Sequence, residues 1–463
     1  MMLARSAALS LLLAAAALAQ DVEKHPYDVA RDAIRQSIEA KRKEFAGNPD
    51  MLVLDSLVAD RKQRRVEILG CATGIAPTDA LEFFVAAHSS GKDYESLALT
   101  WAMPSDVHKA LEFIGLKPGR PINFETNHHW TRGPRVSMTF NWEEKTIAAE
   151  ELVIDTETKS PIPATGMVFT GSFRHTDDDG KTWYAADVVD SKAIAPNYND
   201  PVAVLDMPGR LSQANVYGFQ RPNPKFTFKQ GQPLTITLQP AKDAVTSRDL
   251  KIVAFIDNGK LRYAVRENGA LLASSDNLPQ LVSEIAKLVD GKTDLFTSAD
   301  IGETTSVEDA RKMYAVLMSM EQDRGVKLDP PASGQLFHRA FFPNDAWRNR
   351  EERLGEPWEL FLERADGKLT ARLERYVERF GPDVDNKHEL QKWGPKSPGE
   401  FAEVVNKNES QWTKAIFIYA PADLTYGELM HWVRPVLETY PRVFVFSASG
   451  ATTQPTTVPA QEP

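Results

Sequence analysis

The chain has 463 residues, with 64 acidic and 54 basic side chains and a formal net charge of −10. So acidic a balance gives no general attraction for nucleic acid or anionic lipid. A single cysteine, Cys71, excludes an intramolecular disulfide, and 42% hydrophobic with 25% charged residues is an ordinary globular composition, able to rely on its core at this length.

The first residues bear on the compartment. Residues 1–6 carry one positive charge, Arg5, and residues 7–18 are a run of small residues and leucine. Ala17-Leu18-Ala19 fits the small-x-small pattern of signal-peptidase sites, which places cleavage before Gln20. An apolar run of about a dozen residues is short of the ~20 needed to span a bilayer, and Gln20, Asp21, Glu23 and Lys24 follow at once. The reading is a secretory signal peptide over 1–19 and a periplasmic or secreted mature chain, its net charge moved to −11 by loss of Arg5. The residue directly after the cleavage site is Gln20 and not a lipid-bearing cysteine, and no later stretch is apolar enough to cross a membrane.

Residues 20–50 hold one helix, predicted over 26–46, with Asp28 as cap, Val29, Ala33, Ile34 and Ile38 as its apolar face, and Gly47-Asn48-Pro49 as its stop. Residues 51–208 form a β-rich domain. Residues 52–58 and 66–69 flank a basic turn at 60–65 as a hairpin, and 81–85 is a further apolar run. Residues 105–114 predict a helix with Ser105 at its N-cap, Asp106 in its first turn, and Val107, Ala110, Leu111 and Ile114 inward. Strands follow at 136–142, 168–173 and 183–189. Residues 209–248, rich in Pro, Asn, Gln and Lys, read as a connector or small β segment with two edge strands at 226–228 and 234–238.

Residues 249–330 and 331–450 read as two similar α/β units. The first runs strand 251–256, an Asp257-Asn258-Gly259 turn, strand 261–265, helix 278–288, strand 294–299, helix 307–322 and strand 325–328. The second repeats the order with strand 360–364, an Asp366-Gly367 turn, strand 369–373, helix 398–406, strand 415–420, helix 426–440 and strand 443–446. That order implies a mixed sheet with helices on one face. Residues 451–463 read as a disordered tail. The fold class is therefore α+β, a β-rich domain followed by two small α/β units.

Two stretches resemble known families. Gly91-Lys92-Asp93-Tyr94-Glu95-Ser96-Leu97, Pro104-Ser105-Asp106-Val107-His108 and Gly115-Leu116-Lys117-Pro118-Gly119 resemble the YdjY domain family of bacterial envelope proteins. Phe169-Thr170-Gly171-Ser172-Phe173 and Asn199-Asp200-Pro201-Val202-Ala203 extend the likeness over about 50–210. The family's activity is undetermined, and some members carry ferredoxin-like labels. One cysteine cannot supply the four thiolates of an iron–sulfur centre, so no cofactor is expected. Ala422-Asp423-Leu424-Thr425-Tyr426, leading into a helix and a final strand, is similar to the periplasmic domain of ExbD/TolR proteins, with Asp300 and residues 307–322 as a fainter first copy. Those proteins couple ion flow through a transmembrane helix that has no counterpart here after cleavage. The resemblance implies a module binding peptidoglycan or an envelope protein.

Candidate chemistry is sparse. Glu95, Ser96, Asp106 and His108 offer the residue types of nucleophile, base and orienter. No G-x-S-x-G elbow surrounds Ser96, and Asp106 and His108, two apart on a helix, point about 200° away from each other. Glu125, His128 and His129 are ligand types without zinc-like spacing. Residues 176–183, Thr-Asp-Asp-Asp-Gly-Lys-Thr-Trp, fit a sialidase-type Asp-box once, without the recurrence a propeller needs, and equally fit a hairpin turn. Cys71 reads as a small buried apolar residue. Trp347, Arg348, Arg350, Glu351, Glu352 and Arg353 make a charged segment that reads as a solvated helix. Two functions stand: a non-enzymatic module binding an envelope protein or glycan, or a hydrolase-type enzyme using Glu95, Ser96 or His108.

Overall fold

A computed structural model describes residues 24–124, 126–177, 179–242, 245–288, 292–331, 335–336, 340–342, 356–381, 384–409 and 414–448. The expected signal peptide and cleavage site before Gln20, Glu125, the charged segment at 347–353 and the expected tail at 451–463 lie outside the described residues. The chain divides into two compact units. One comprises residues up to Pro121 together with Thr131–Lys242, and the other Ile122–Trp130 together with the chain after Asp243.

The first unit is built on a sheet whose main path runs Ala193–Pro196, Phe83–Ala87, Ser96–Thr100, Arg65–Ala72, Pro233–Pro240, Arg135–Trp142, Met167–Phe169, Leu205–Asp206. Alternation drives it. In Arg135–Trp142 the side chains of Val136, Met138, Phe140 and Trp142 are buried, while Arg135, Ser137, Thr139 and Asn141 are half-exposed, as a period of two requires. Pro233–Pro240 follows the same rule with Leu234, Ile236 and Leu238 inward. Its Ile236 stands between Ile68 and Phe140 in the centre of the core. The segment expected to be a connector with edge strands thus supplies a central strand. Its Pro and Lys residues flank the strand without interrupting the apolar alternation.

The N-terminal helix spans Pro26–Glu44, with Pro26 in its first turn and the His25 side chain accepting from the Tyr27 amide. It buries Tyr27, Ala30, Ile34 and Ile38. Val29, expected on the inner face, is 54% exposed, because Tyr27 rather than Val29 sets the start of the buried stripe. The expected helix at 105–114 spans Pro104–Phe113 with Met103 at the N-cap, and the Ser105 amide donates to Asp187 Oδ1 at 2.9 Å. Residues 183–189, expected as a strand, are the end of Thr182–Tyr184 and a helical turn, Ala185–Val188.

The second unit holds two sheets of one topology. The first orders its strands Ala270–Ser275, Lys260–Glu267, Thr246–Asp257, Thr293–Ile301, Lys327–Leu328. The second orders them Val384–Trp393, Lys368–Gly381, Trp358–Ala365, Ala415–Pro421, Arg442–Ala448, with Phe341–Phe342 beyond. Each is a three-stranded antiparallel meander followed by helix, parallel strand, helix, parallel strand. The expected repeat is present, with the third meander strand of each copy added. Ala-Leu-Leu-Ala-Ser-Ser at 270–275 and the polar run at 384–393 lack the alternation that marks a half-buried strand. The helix expected over 426–440 ends at Val433, followed by a single tighter turn, Arg434–Val436.

One hydrophobic core joins the two repeats, Met313, Tyr314 and Leu317 of one with Leu424, Tyr426 and Leu429 of the other. The repeats also share a backbone ladder. Ser306 and Thr425, the N-caps of helices Val307–Arg324 and Tyr426–Val433, form an antiparallel bridge. Val307 N donates to Leu424 O and Tyr426 N to Thr305 O, both at 2.8 Å; Glu308 N donates to Ala422 O at 3.3 Å and Gly427 N to Glu303 O at 2.8 Å. Gly427 permits this approach: a Cβ there would lie 3.0 Å from Glu303 Cβ.

Candidate functional site

Four of the five motifs of the first unit, all but the one at 91–97, meet around one loop. Thr170 Oγ1 donates to the Ala203 and Val204 carbonyls, each at 3.2 Å, and Gly119 N donates to Phe169 O at 2.9 Å. Gly171 (φ +81°) sits where a Cβ would lie 2.4 Å from Pro118 and 3.0 Å from the His108 ring, so only glycine closes the loop. Ser172 follows at φ +55°, buried, with its hydroxyl beside the Tyr184 phenol.

His108 lies at the centre. Nδ1 is 3.1 Å from Gly171 O and 3.0 Å from Tyr184 Oη, and Tyr184 Oη donates to Gly171 O at 2.9 Å. A carbonyl only accepts and the phenol proton is spent on it, so this network assigns the proton to Nδ1. Nε2 lies 3.4 Å from Glu112 Oε2. The ring packs edge-on against Phe169 and Tyr184. Burial raises the Tyr184 phenol above its ordinary pKa and keeps it neutral.

Ser96 and Glu95 are elsewhere in this unit. Ser96 is fully buried, and its hydroxyl donates to Lys92 O at 2.6 Å. Glu95 pairs with Lys92 Nζ at 2.8 Å, which raises the lysine pKa. No hydrogen bond among the described residues joins either to His108. Asp106 stands in the first helical turn and pairs with Lys109 at 3.1 Å. Of the Asp-box residues, Asp178 lies outside the described ones; Asp177 accepts from the Lys181 amide and from Trp183 Nε1, each at 2.8 Å, in a hairpin between strands Arg174–Thr176 and Thr182–Tyr184. Cys71 is fully buried, and burial pushes its thiol up to about 12. His128 and His129 fall in the Ile122–Trp130 segment of the second unit. His128 Nδ1 lies 2.7 Å from Thr126 Oγ1, and the His129 ring is 5.3 Å from Phe124. Among the described residues no three His, Cys, Asp or Glu side chains gather closely enough to hold a metal ion.

Sequence reading missed a group of buried acids. Asp206 is fully buried; Oδ1 accepts from Asn199 Nδ2 at 3.1 Å and Met207 N at 2.7 Å, and Oδ2 has no hydrogen-bond partner among the described residues. Burial raises its carboxyl well above the usual range. Burial also raises Glu82, which accepts twice from Gln213, and Asp200. The signal available was the density of Asn and Asp in residues 197–206, a polar run inside an otherwise apolar stretch.

Residues 57–190 match the model of the YdjY domain family. The YdjY match ends short of Asn199 and Asp206, and it includes His108, Gly171 and Tyr184. No curated protein matches the chain. Among solved structures, a PPX-GPPA enzyme of Aquifex aeolicus is similar at 10% identity over 43% of this chain and 96% of its own, with a TM-score of 0.14. A Bacteroides thetaiotaomicron protein of unknown function, described as having an actin-like ATPase fold, is similar at 7% identity over 44% and 91%, with a TM-score of 0.14. Likeness at this level carries no argument for the YdjY-matching chain. Among the described residues no helix is long and apolar enough to cross a membrane.

Proposed function

We propose that the protein is an exported, non-enzymatic module that binds an envelope protein or a glycan such as peptidoglycan in the periplasm. The observation that carries this reading is where the reactive groups are spent. The Ser96 hydroxyl, the Glu95 carboxylate and Nδ1 of His108 each hold a neighbouring backbone or side chain in place. A nucleophile–base pair needs hydrogen-bond reach of about 3 Å, and these groups are committed to other partners. In this reading the two repeats of the second unit, alike in element order, act as ExbD/TolR-like modules; the family match covers residues 57–190 alone.

One observation favours a second reading, a hydrolase-type enzyme using the YdjY-matching segment. Nε2 of His108 is oriented as a base by the Gly171 carbonyl on the opposite side of the ring. The two readings separate in one experiment. The mature chain from Gln20 is crosslinked in periplasm and recovered, alongside co-sedimentation with purified peptidoglycan. Reproducible recovery of an envelope protein or glycan, unchanged in His108→Ala, is the expected result. Turnover of an ester, amide or glycoside panel that is lost in His108→Ala would overturn it.

A further inference from the structure

The two repeats of the second unit share a topology, so each serves as a control for the other. Strand register aligns them residue by residue. Ile252 pairs with Val265 and Ala299, and Val265 with Ala273. Leu360 pairs with Leu373 and Ile418, and Leu373 with Trp393. Trp393 therefore stands where the first repeat has Ala273, and the helix N-caps that follow, Asn277 and Ser397, agree with this alignment. Ala273 and Trp393 both pack at the margin of the shared core, so the scaffold closes with a methyl group here and does not require an indole. The helices after these caps, Leu278–Ala286 and Pro398–Lys407, differ too. Counted from the caps, Glu400 and Glu403 replace Gln280 and Ser283, Val404 replaces Glu284, and Lys407 matches Lys287. In the first repeat Glu284 pairs with Lys287 at 2.7 Å. In the second, Trp393, Glu400, Glu403, Val404, Lys407 and Asn408 line a cavity of about 480 Å³. Among the described residues neither Glu403 nor Lys407 forms an ion pair.

We propose that this cavity binds an alkylammonium group, carried by a lysine side chain or by a quaternary ammonium compound. The indole and the carboxylates favour the same ligand. An indole face attracts a cation through its ring quadrupole, more strongly than the other aromatic side chains do, and carboxylates beside it add Coulomb attraction. The cavity has the size of a small-ligand site. Trp393 is held from behind by Trp358, at 5.2 Å between ring centroids, so its position is set before a ligand arrives. Glu400 is tied at the cavity by the Lys396 amide, which donates to Oε2 at 2.8 Å. Glu403 has no such tie and is the carboxylate left to meet the ligand. Glu400 and Glu403 against Lys407 leave the lining one net negative charge. The nearby cation Arg375, over the Trp358 ring at 5.0 Å, is neutralised by Glu356 at 2.8 Å. A neutral sugar would gain the stacking without the charge, and an anion would meet two carboxylates. This assignment stands on the cavity itself and holds whether or not the chain recruits an envelope partner.

The test is titration of the mature chain, followed by ligand-observed NMR, with choline and with Nα-acetyl-lysine amide. Each is run beside its neutral isostere, in which carbon replaces the ammonium nitrogen. The expected result is saturable binding of at least one cation, about tenfold or more tighter than its isostere; which cation binds identifies the source. Glu403→Gln and Trp393→Ala each weaken that binding by about fivefold or more, and Lys407→Met strengthens it by removing a like charge. Trp393→Ala installs the residue of the first repeat. Glu403 is exposed, so Glu403→Gln melts with wild type and keeps the test decisive if Trp393→Ala fails to fold. Saturable binding of neither cation overturns the proposal, as does equal binding of the isosteres. So does cation binding undiminished in Glu403→Gln, or a preference for a methyl glucoside over both cations.

Discussion

Ser306 and Thr425 are bridged to each other, and each is also the N-cap of the helix that follows it. The first amides of a helix have no intrahelical acceptor. Here each cap hydroxyl accepts the third helical amide, Asp309 N or Glu428 N. The first and second amides donate to carbonyls of the opposite repeat. Carboxyl ends of parallel strands are where open α/β sheets commonly bind ligands. In both repeats the loop leaving such an end is occupied by its counterpart.

This relationship sets a stability prediction. Ser306→Ala and Thr425→Ala each lower unfolding stability by about 1 kcal/mol. Gly427→Val costs about 1–3 kcal/mol, because its side chain must enter the contact with Glu303. Urea denaturation of the mature chain reads all three, and a Gly427→Val midpoint equal to wild type would refute the close approach.

Asp206 makes stability pH-dependent. Its folded pKa is raised, so the folded state holds a proton that the unfolded chain, with a pKa of about 3.9, releases earlier. The contribution is fully present below about pH 3.9 and is lost, at about 1.4 kcal/mol per pH unit, as pH climbs toward the folded pKa. Asp206→Asn keeps the shape without the charge. The variant should match wild type near pH 4 and exceed it at pH 8 in chemical denaturation; equal pH profiles would show that Asp206 ionises without penalty.

His108 and Ser96 are predicted to be structural. His108→Ala removes the ring packed on Phe169 and Tyr184 and lowers stability by about 1–3 kcal/mol, while Ser96→Ala removes one hydrogen bond and costs about 1 kcal/mol. Both are measured by thermal melting. Recovery of partner in the crosslinking experiment should follow the fraction folded, not the presence of either side chain.

Cys71 should be inert to thiol reagents in the native protein and react fully once denatured, since burial pushes its thiol up to about 12. Labelling by a chromogenic disulfide with and without denaturant measures this; native labelling at the rate of a free thiol would place Cys71 in an open segment.

Local pattern carried much of this architecture. The alternation in residues 135–142, the 3.6-residue spacing around Ile34 and Ile38, and the Asp-Asn-Gly and Asp-Gly turns at 257–259 and 366–367 name their elements before any fold is known, because strand and helix periodicity are properties of neighbouring residues. The strands at 270–275 and 384–393 stayed hidden because edge strands need no buried face, and the central strand at 233–240 was masked by its loop-like flanks. His108 was legible as a residue type. Its partners Gly171 and Tyr184 were not, since 63 and 76 residues separate them from it.

The sequence by itself determined an acidic α+β chain with a single cysteine, a YdjY-like first half and a repeated second half. Tertiary structure decided which polar groups are buried, that Ser96 and His108 serve different neighbourhoods, and that the repeats meet at Ser306 and Thr425. Burial, protonation and backbone pairing depend on residues brought together from far apart in the chain, and no local pattern encodes them.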